Sequence, residues 1–224
     1  MKIRNHLARL VAAALLASSA ATAVALAPSA AHAASTESVT ATLTAPLPGI
    51  VEYGSTYSIE GYLKGSDGGY AYEGNVYLQE LPYGSSTWRT IATKPDADAY
   101  FYDIPATISG SLRLYYAGYT STNDYEPSYR ATYSNVVGLK VARKLTVKTK
   151  GLHVKGKVAP AHGKMKIVFK IKKGKHYKKW FKVKTKKNGK FKKTVPHKKP
   201  GTKVLVLVPG GQGYAANAWP GVYY

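Results

Sequence analysis

Between Lys164 and Lys193 lysine and apolar residues take turns. Met165, Ile167, Phe169 and Ile171 alternate with Lys164, Lys166, Lys170 and Lys172, and Phe181 and Val183 alternate with Lys182 and Lys184. A repeat of two sets the apolar side chains on one side of an extended chain and the lysines on the other, which is the pattern of a half-buried strand and not of a helix. Unpaired lysine is almost never buried, so the lysines are the solvent side of folded strands. Asn188-Gly189 predicts a hairpin turn of type I′, since both of its central positions require positive φ. Lys190 to Val195 is then the returning strand.

The charge is divided between two halves of the 224-residue chain, whose net charge is +22. All eleven Asp and Glu lie between Glu37 and Glu126. From residue 34 to 139 five Lys and Arg face those eleven acids, whereas from Lys140 onward twenty-five Lys and Arg meet no acid at all. Such an asymmetry predicts two modules with different electrostatic roles. There is no cysteine. Each module must therefore be held by its own apolar core, and thiol chemistry is excluded.

Residues 1–33 read as a secretory signal peptide. Lys2, Arg4 and Arg9 give a positive start, Leu7 to Ala27 is apolar, and Ala31-His32-Ala33 is a small-x-small cleavage site. Ser18, Ser19 and Thr22 interrupt the apolar run and Pro28 ends it, which argues against a membrane anchor. No later run is long enough to span a bilayer, and Trp219 to Tyr224 carries no sortase-like or lipid-anchor signal. The expected location is secreted or cell-surface associated.

The remainder reads as strands and turns. Alternation marks strands at Ser38–Ala45, Tyr57–Leu63, Val76–Leu81, Trp88–Thr93, Tyr100–Ile104, Leu112–Tyr119 and Tyr133–Val141. A second set runs through Leu145–Lys150, Leu152–Val158, Met165–Lys172, Phe181–Lys184, Lys190–Val195 and Val204–Val208, with Val222 to Tyr224 closing the sheet. Seven or so short strands per unit predict a β-sandwich of about 100 residues. The units overlay. Tyr57–Gly61 matches Leu152–Gly156, Val76–Gln79 matches Ile167–Lys170, and Trp88 matches Trp180. Ala99–Phe101 matches Gly189–Phe191, and Leu112–Tyr115 matches Val204–Leu207. The expected fold class is all-β: two tandem Ig-like sandwiches after a cleaved signal peptide, at residues 34–141 (acidic, Tyr-rich) and 142–224 (Lys-rich).

At Gly61-Tyr-Leu63, Trp88-Arg-Thr-Ile91, Ala99-Tyr-Phe101 and Arg113-Leu-Tyr-Tyr-Ala-Gly118, leading to Ser134-Asn-Val-Val-Gly-Leu-Lys-Val141, the chain resembles the tandem Ig-like repeats of exported actinobacterial proteins. The second unit follows the pattern to Phe191 and departs from it over Gly210 to Tyr224. The resemblance implies a fold and an exported, often wall-associated setting. It implies no catalytic residue.

Enzyme chemistry finds little footing. The histidines after the leader, His153, His162, His176 and His197, all lie in the half without carboxylates, so a Ser-His-Asp triad would have to span both units. No GxSxG, P-loop or HExxH pattern occurs. Asp96, Asp98 and Asp103 suggest a carboxylate pair or a calcium loop, but Tyr100 and Phe101 stand where an EF-hand needs an acid and a glycine. No catalytic residue, metal or small-molecule cofactor is therefore expected.

The lysines are the strongest candidate for function. Residues two apart on a strand lie roughly 6.5–7 Å apart and neighbouring strands lie about 4.8 Å apart. Lys155, Lys157, Lys164, Lys166, Lys170, Lys172, Lys182, Lys184, Lys190 and Lys192 would thus form a cationic lattice for a repeating polyanion: an anionic wall polymer, extracellular nucleic acid or acidic polysaccharide. Lysine is a mobile point charge and arginine a bidentate fork, so a coat made of lysine points to salt-sensitive binding without sequence readout. A second candidate is a carbohydrate-binding module built on Tyr115, Tyr119 and Tyr125, because tyrosine offers a flat apolar face with a polar rim. A third is a structural surface protein whose acidic unit docks on the basic one.

Overall fold

The computed structural model describes residues 35–46 and 49–223; the expected signal peptide and its cleavage site lie outside them. Every regular element among the described residues is a β-strand. The first sandwich holds β1 (Thr36–Glu37), β2 (Val39–Leu43), β3 (Val51–Glu52), β4 (Thr56–Gly65), β5 (Val76–Pro82) and β6 (Arg89–Lys94). It continues with β7 (Tyr100–Pro105), β8 (Gly110–Tyr116), β9 (Ser128–Tyr129), β10 (Thr132–Tyr133), β11 (Val137–Leu139) and β12 (Val141–Ala142). The second holds β13 (Lys144–Lys150), β14 (His153–Ala159), β15 (Lys166–Lys173), β16 (His176–Lys184), β17 (Lys190–Thr194), β18 (Lys203–Val208) and β19 (Asn217–Val222).

Both sandwiches use one strand order. A three-stranded sheet, β2-β4-β7, faces a second sheet ordered β10-β8-β5-β6, with β11 also on β8. In the second sandwich β13-β14-β17 faces β16-β15-β18-β19. This is the Ig-like arrangement, and it follows from the alternation. Val76 and Leu78 bury their side chains as Ile167 and Phe169 do, and Leu112 and Leu114 as Val204 and Val206 do. Two separate apolar cores result, one per sandwich.

The structure corrects several local expectations. Asn188-Gly189 is not a hairpin, because β16 and β17 belong to different sheets. Only Gly189 takes positive φ there (75°). The turn closes through Gly189 N–H to Lys186 O (3.0 Å) and Lys186 N–H to Lys190 O (2.8 Å), and it carries the chain across the sandwich. The strand expected at Tyr133–Val141 is three short pieces, β10, β11 and β12. The last strand of the second unit is Asn217–Val222 and not Val222–Tyr224. It contains Pro220, which an edge strand tolerates because one side of its backbone needs no partner.

The overlay of the tryptophans is also off by three. β5 and β6 slip register between Leu78 and Gln79, leaving Ile91 unpaired. β15 and β16 slip between Phe169 and Lys170, leaving Trp180 unpaired. The bulge is thus repeated, and Trp180 occupies the place of Ile91. Trp88 lies outside, beneath the Arg113 guanidinium at 4.2 Å, whereas Trp180 packs on the second core.

The sandwiches meet through the loop between β18 and β19. Tyr214 donates its hydroxyl to Thr107 O (3.0 Å) and packs edge-on to Tyr53 at 6.2 Å. Gly213 O accepts from Ser109 N–H (2.8 Å), and Ala215 N–H donates to Val141 O (2.8 Å). Arg143, between β12 and β13, is buried with its guanidinium over the Tyr214 ring at 4.1 Å. Its Nη1 donates to Pro160 O (3.0 Å). Burial lowers its pKa from the ordinary arginine value.

Candidate functional site

The registers divide the candidate lysines between two opposite outer faces. On β13-β14-β17, Lys148, Lys155 and Lys192 stand side by side across the three strands, and Thr146, Lys157 and Lys190 make the next row. On the far side of the sandwich, Lys166 stands opposite Lys184, Lys170 opposite Lys179, and Val168 opposite Lys182. Lys172 follows two residues on, opposite Tyr177. The single lattice read from the sequence is therefore two lattices, about 10 Å of core apart. Lys164 belongs to neither. It sits before β15 with φ of 62°, its N–H bonded to Thr185 O (2.9 Å).

Like charges directly opposite each other destabilise a sheet, and nothing here offsets them. Among the described residues the ion pairs are Arg89–Glu80 (2.6 Å), Lys94–Asp98 (3.0 Å) and Lys144–Glu52 (3.7 Å). Only the last joins the two sandwiches, so the acidic unit leaves the lysine faces uncovered. The faces approach one another round the β16/β17 edge, where Lys193 Nζ donates to Lys182 O (3.3 Å).

The lysines share their second face with apolar residues. Val168 stands opposite Leu207, and Lys170 opposite Leu205. Leu207 is opposite Ala218, and Leu205 opposite Pro220. Charge gives way to aliphatic surface between β15 and β18. The alternation read from β15 alone does not reveal this, because the aliphatic half comes from strands brought alongside by topology.

Tyr115, Tyr119 and Tyr125 do not come together. Tyr125 is 92% exposed on a loop, and Tyr119 packs against the first core. Tyr115 joins a column on the outer face of β5, β8 and β10. It stacks on Tyr77 at 5.8 Å and on Tyr133 at 4.8 Å, both near-parallel. Arg113 lies over Tyr133 at 4.1 Å and over Trp88 at 4.2 Å, with its Nε bonded to Gln79 Oε1 (2.9 Å). In this column the rings turn their faces to one another.

The three aspartates singled out in sequence form no cluster. Asp98 accepts from Tyr100 N–H (2.8 Å) and from Lys94 Nζ (3.0 Å), and the backbone bond from Tyr100 is the main reason its pKa lies below the ordinary carboxylate value. Asp103 is bonded to Thr56 instead (3.4 Å). Among the described residues no three His, Cys, Asp or Glu are grouped to hold a metal ion.

No family model matches the chain, and no curated protein matches it. Among solved structures it is similar to a segment of two fibronectin type-III domains from chicken tenascin. That match is at 9% identity, covers 83% of this chain and 98% of that one, and has a TM-score of 0.44. It is similar also to three N-terminal domains of the highly immunogenic outer capsid protein of bacteriophage RB49 (9% identity, 81% and 68% coverage, TM-score 0.29). A third is the human OSCAR ligand-binding domain (13% identity, 85% and 100% coverage, TM-score 0.28). The two-sandwich arrangement stands on the strand order of this chain, not on these likenesses.

Proposed function

We propose that the protein is an exported, non-enzymatic binding protein of the actinobacterial tandem Ig-like type, and that its second sandwich holds polyanions through lysine. The observation that carries this reading is the pair of lysine rows on β13-β14-β17, Lys148–Lys155–Lys192 and Lys157–Lys190, in strand register and without an acid beside them. Self-repulsion of that kind costs stability. A polyanion with regularly spaced charge, such as a wall polymer, an acidic polysaccharide or extracellular nucleic acid, would relieve it by displacing its own counterions. The residues proposed to bind are Lys155, Lys157, Lys190 and Lys192 on one face and Lys166, Lys170, Lys172, Lys182 and Lys184 on the other. The tyrosine column supports the glycan reading less well, since a sugar stacks on an open ring face and these faces are occupied by neighbouring rings.

The test is affinity for duplex DNA and for teichoic acid against salt. The expected result is a steep log–log slope. Replacing Lys155, Lys157, Lys190 and Lys192 by the Glu, Tyr, Tyr and Tyr that hold the overlaid positions (Glu60, Tyr62, Tyr100 and Tyr102) should make the slope shallower by about 3–4. A slope near zero, or one unmoved by the graft, would sink the reading.

A further inference from the structure

The two lysine faces of the second sandwich differ in what stands beside the lysines. On β13-β14-β17 the rows Lys148–Lys155–Lys192 and Thr146–Lys157–Lys190 are polar throughout. On the other sheet each row runs from lysine into aliphatic surface. One row is Lys182–Val168–Leu207–Ala218, and the next is Lys179–Lys170–Leu205–Pro220. In the row after that, Lys203 stands opposite Val222. Lys166 lies at the other end, where it lines a shallow groove with Val168, Leu207 and Ala218. The aliphatic patch therefore has lysine along one side and at both ends. Its residues meet solvent: Ala218 and Pro220 are exposed, Val168, Leu205 and Leu207 are half-buried, and Val222 is 40% exposed.

A polymer that offers charge alone would meet these lysines and leave the aliphatic half of the face in water. The surface of a bilayer with anionic headgroups meets both halves. Its headgroups attract the ammonium groups, and short aliphatic side chains enter the boundary between headgroups and acyl chains. Lysine suits such a boundary, because its methylene stem lies along apolar surface while its charge stays at the headgroups. No acid occurs from Lys140 onward to oppose the approach. We propose that the outer face of β16-β15-β18-β19 docks on an anionic lipid bilayer. Val168, Leu205, Leu207, Ala218 and Pro220 enter the interface, and Lys166, Lys170, Lys182 and Lys203 hold the headgroups. This docking rests on the reading that lysines here bind anions, and it leaves the rows on β13-β14-β17 free for a polyanion.

The chain has no cysteine, so a single introduced one carries a polarity-sensitive dye to a chosen place. Ala218→Cys puts the dye in the patch and Thr146→Cys puts it on the opposite face, both at exposed positions. Each labelled chain, from residue 34 to 224, is titrated at low salt with vesicles of phosphatidylglycerol and phosphatidylcholine, with vesicles of phosphatidylcholine alone, and with duplex DNA. The expected result is a blue shift at residue 218 with the anionic vesicles, none at residue 146, and none at residue 218 with DNA. Phosphatidylcholine vesicles should bind at least about tenfold more weakly, since each lysine at an anionic surface is worth about fivefold. The double replacement Leu205→Thr and Leu207→Thr changes outward positions where threonine suits a strand. It should weaken vesicle binding by about tenfold and leave DNA affinity within about twofold. The proposal is overturned if vesicles leave the dye at residue 218 unmoved, which would give the patch to a partner other than a bilayer, or if they shift residues 218 and 146 equally. It is overturned also if the leucine double variant, shown to be folded by its thermal midpoint, binds vesicles undiminished, because the vesicle is then one more polyanion. Should that variant not fold, the two dye positions decide. In each of these failures a steep salt slope for DNA leaves the polyanion reading standing, whereas loss of vesicle and DNA binding together sinks both.

Discussion

The two sandwiches are one scaffold with two surfaces. Inside, residue answers to residue. Ile59 of the first sandwich and Val154 of the second, like Phe101 and Phe191, point between the sheets and are buried. Outside, position by position, the chemistry changes. The cross-strand pair Tyr77 and Tyr115 becomes Val168 and Leu207. Glu60 and Tyr62 become Lys155 and Lys157, and Tyr100 and Tyr102 become Lys190 and Lys192. The last strand of the three-stranded sheet even differs in register, with Phe101 opposite Ile59 but Phe191 opposite Gly156. A slip of two residues keeps every side chain on its own face, whereas a slip of one would invert the strand. The interior therefore specifies the fold and leaves the exterior free, so the lysine coat is not a folding requirement.

The sharpest way to break this comparison is to empty the two interiors at matched positions. Phe101→Ala and Phe191→Ala should each cost about 3–5 kcal/mol, measured by chemical denaturation. If Phe191 were tolerated at less than half the cost of Phe101, the two cores would not be equivalent. A smaller effect is expected at the glycines that let the first two strands of each three-stranded sheet run close. A Cβ on Gly61 would meet Leu114 and the Thr42 carbonyl, and one on Gly156 would meet the Phe191 ring and the Thr146 carbonyl. Gly61→Ala and Gly156→Ala should each cost about 1–3 kcal/mol, and equal losses would sharpen the equivalence.

The smallest effect should separate the two surfaces by pH. Burial and neighbouring rings push the phenols of Tyr116 and Tyr129 up to about 12, and burial raises Tyr57 further. All three lie in the first sandwich. A phenol whose folded pKa is raised contributes nothing adverse below its unfolded value near 10. Above that pH the unfolded chain loses its proton first, so stability falls as pH climbs from about 10 towards 12. The first sandwich should show this alkaline decline more strongly than the second, where burial raises the phenol of Tyr214. The near-ultraviolet signal of the tyrosines follows the decline. An equal decline in the second sandwich would count against the assignment.

Much of the interior is legible in the sequence because alternation is a local property. Ile167, Phe169 and Ile171 declare their side of the sheet without reference to any other strand. What is not legible depends on partners. The lysines of β14 and β15 look alike in sequence, yet they face opposite ways because their strands join different sheets. Asn188-Gly189 carries a hairpin signature, but Lys190 pairs with Lys157 of β14 and not with the strand before it. Trp180 reads as a partner for Trp88 until the bulge shifts it to the place of Ile91. The tyrosine column needs Tyr77, Tyr115 and Tyr133, which lie far apart along the chain and meet only when three strands align.

The joint between the sandwiches has a mechanical consequence. The chain passes from Val141 to Lys144 without a linker, and the β18–β19 loop reaches back to grip the first sandwich through Tyr214, Gly213 and Ala215. Tension applied between the first sandwich and the second would load the Ser109–Gly213, Tyr214–Thr107 and Ala215–Val141 hydrogen bonds together, with the Arg143–Tyr214 stack beneath them. They would share the load and yield in one step. The pair would therefore transmit a pull as a stiff strut with a single breaking force, where a glycine-rich tether would first pay out slack.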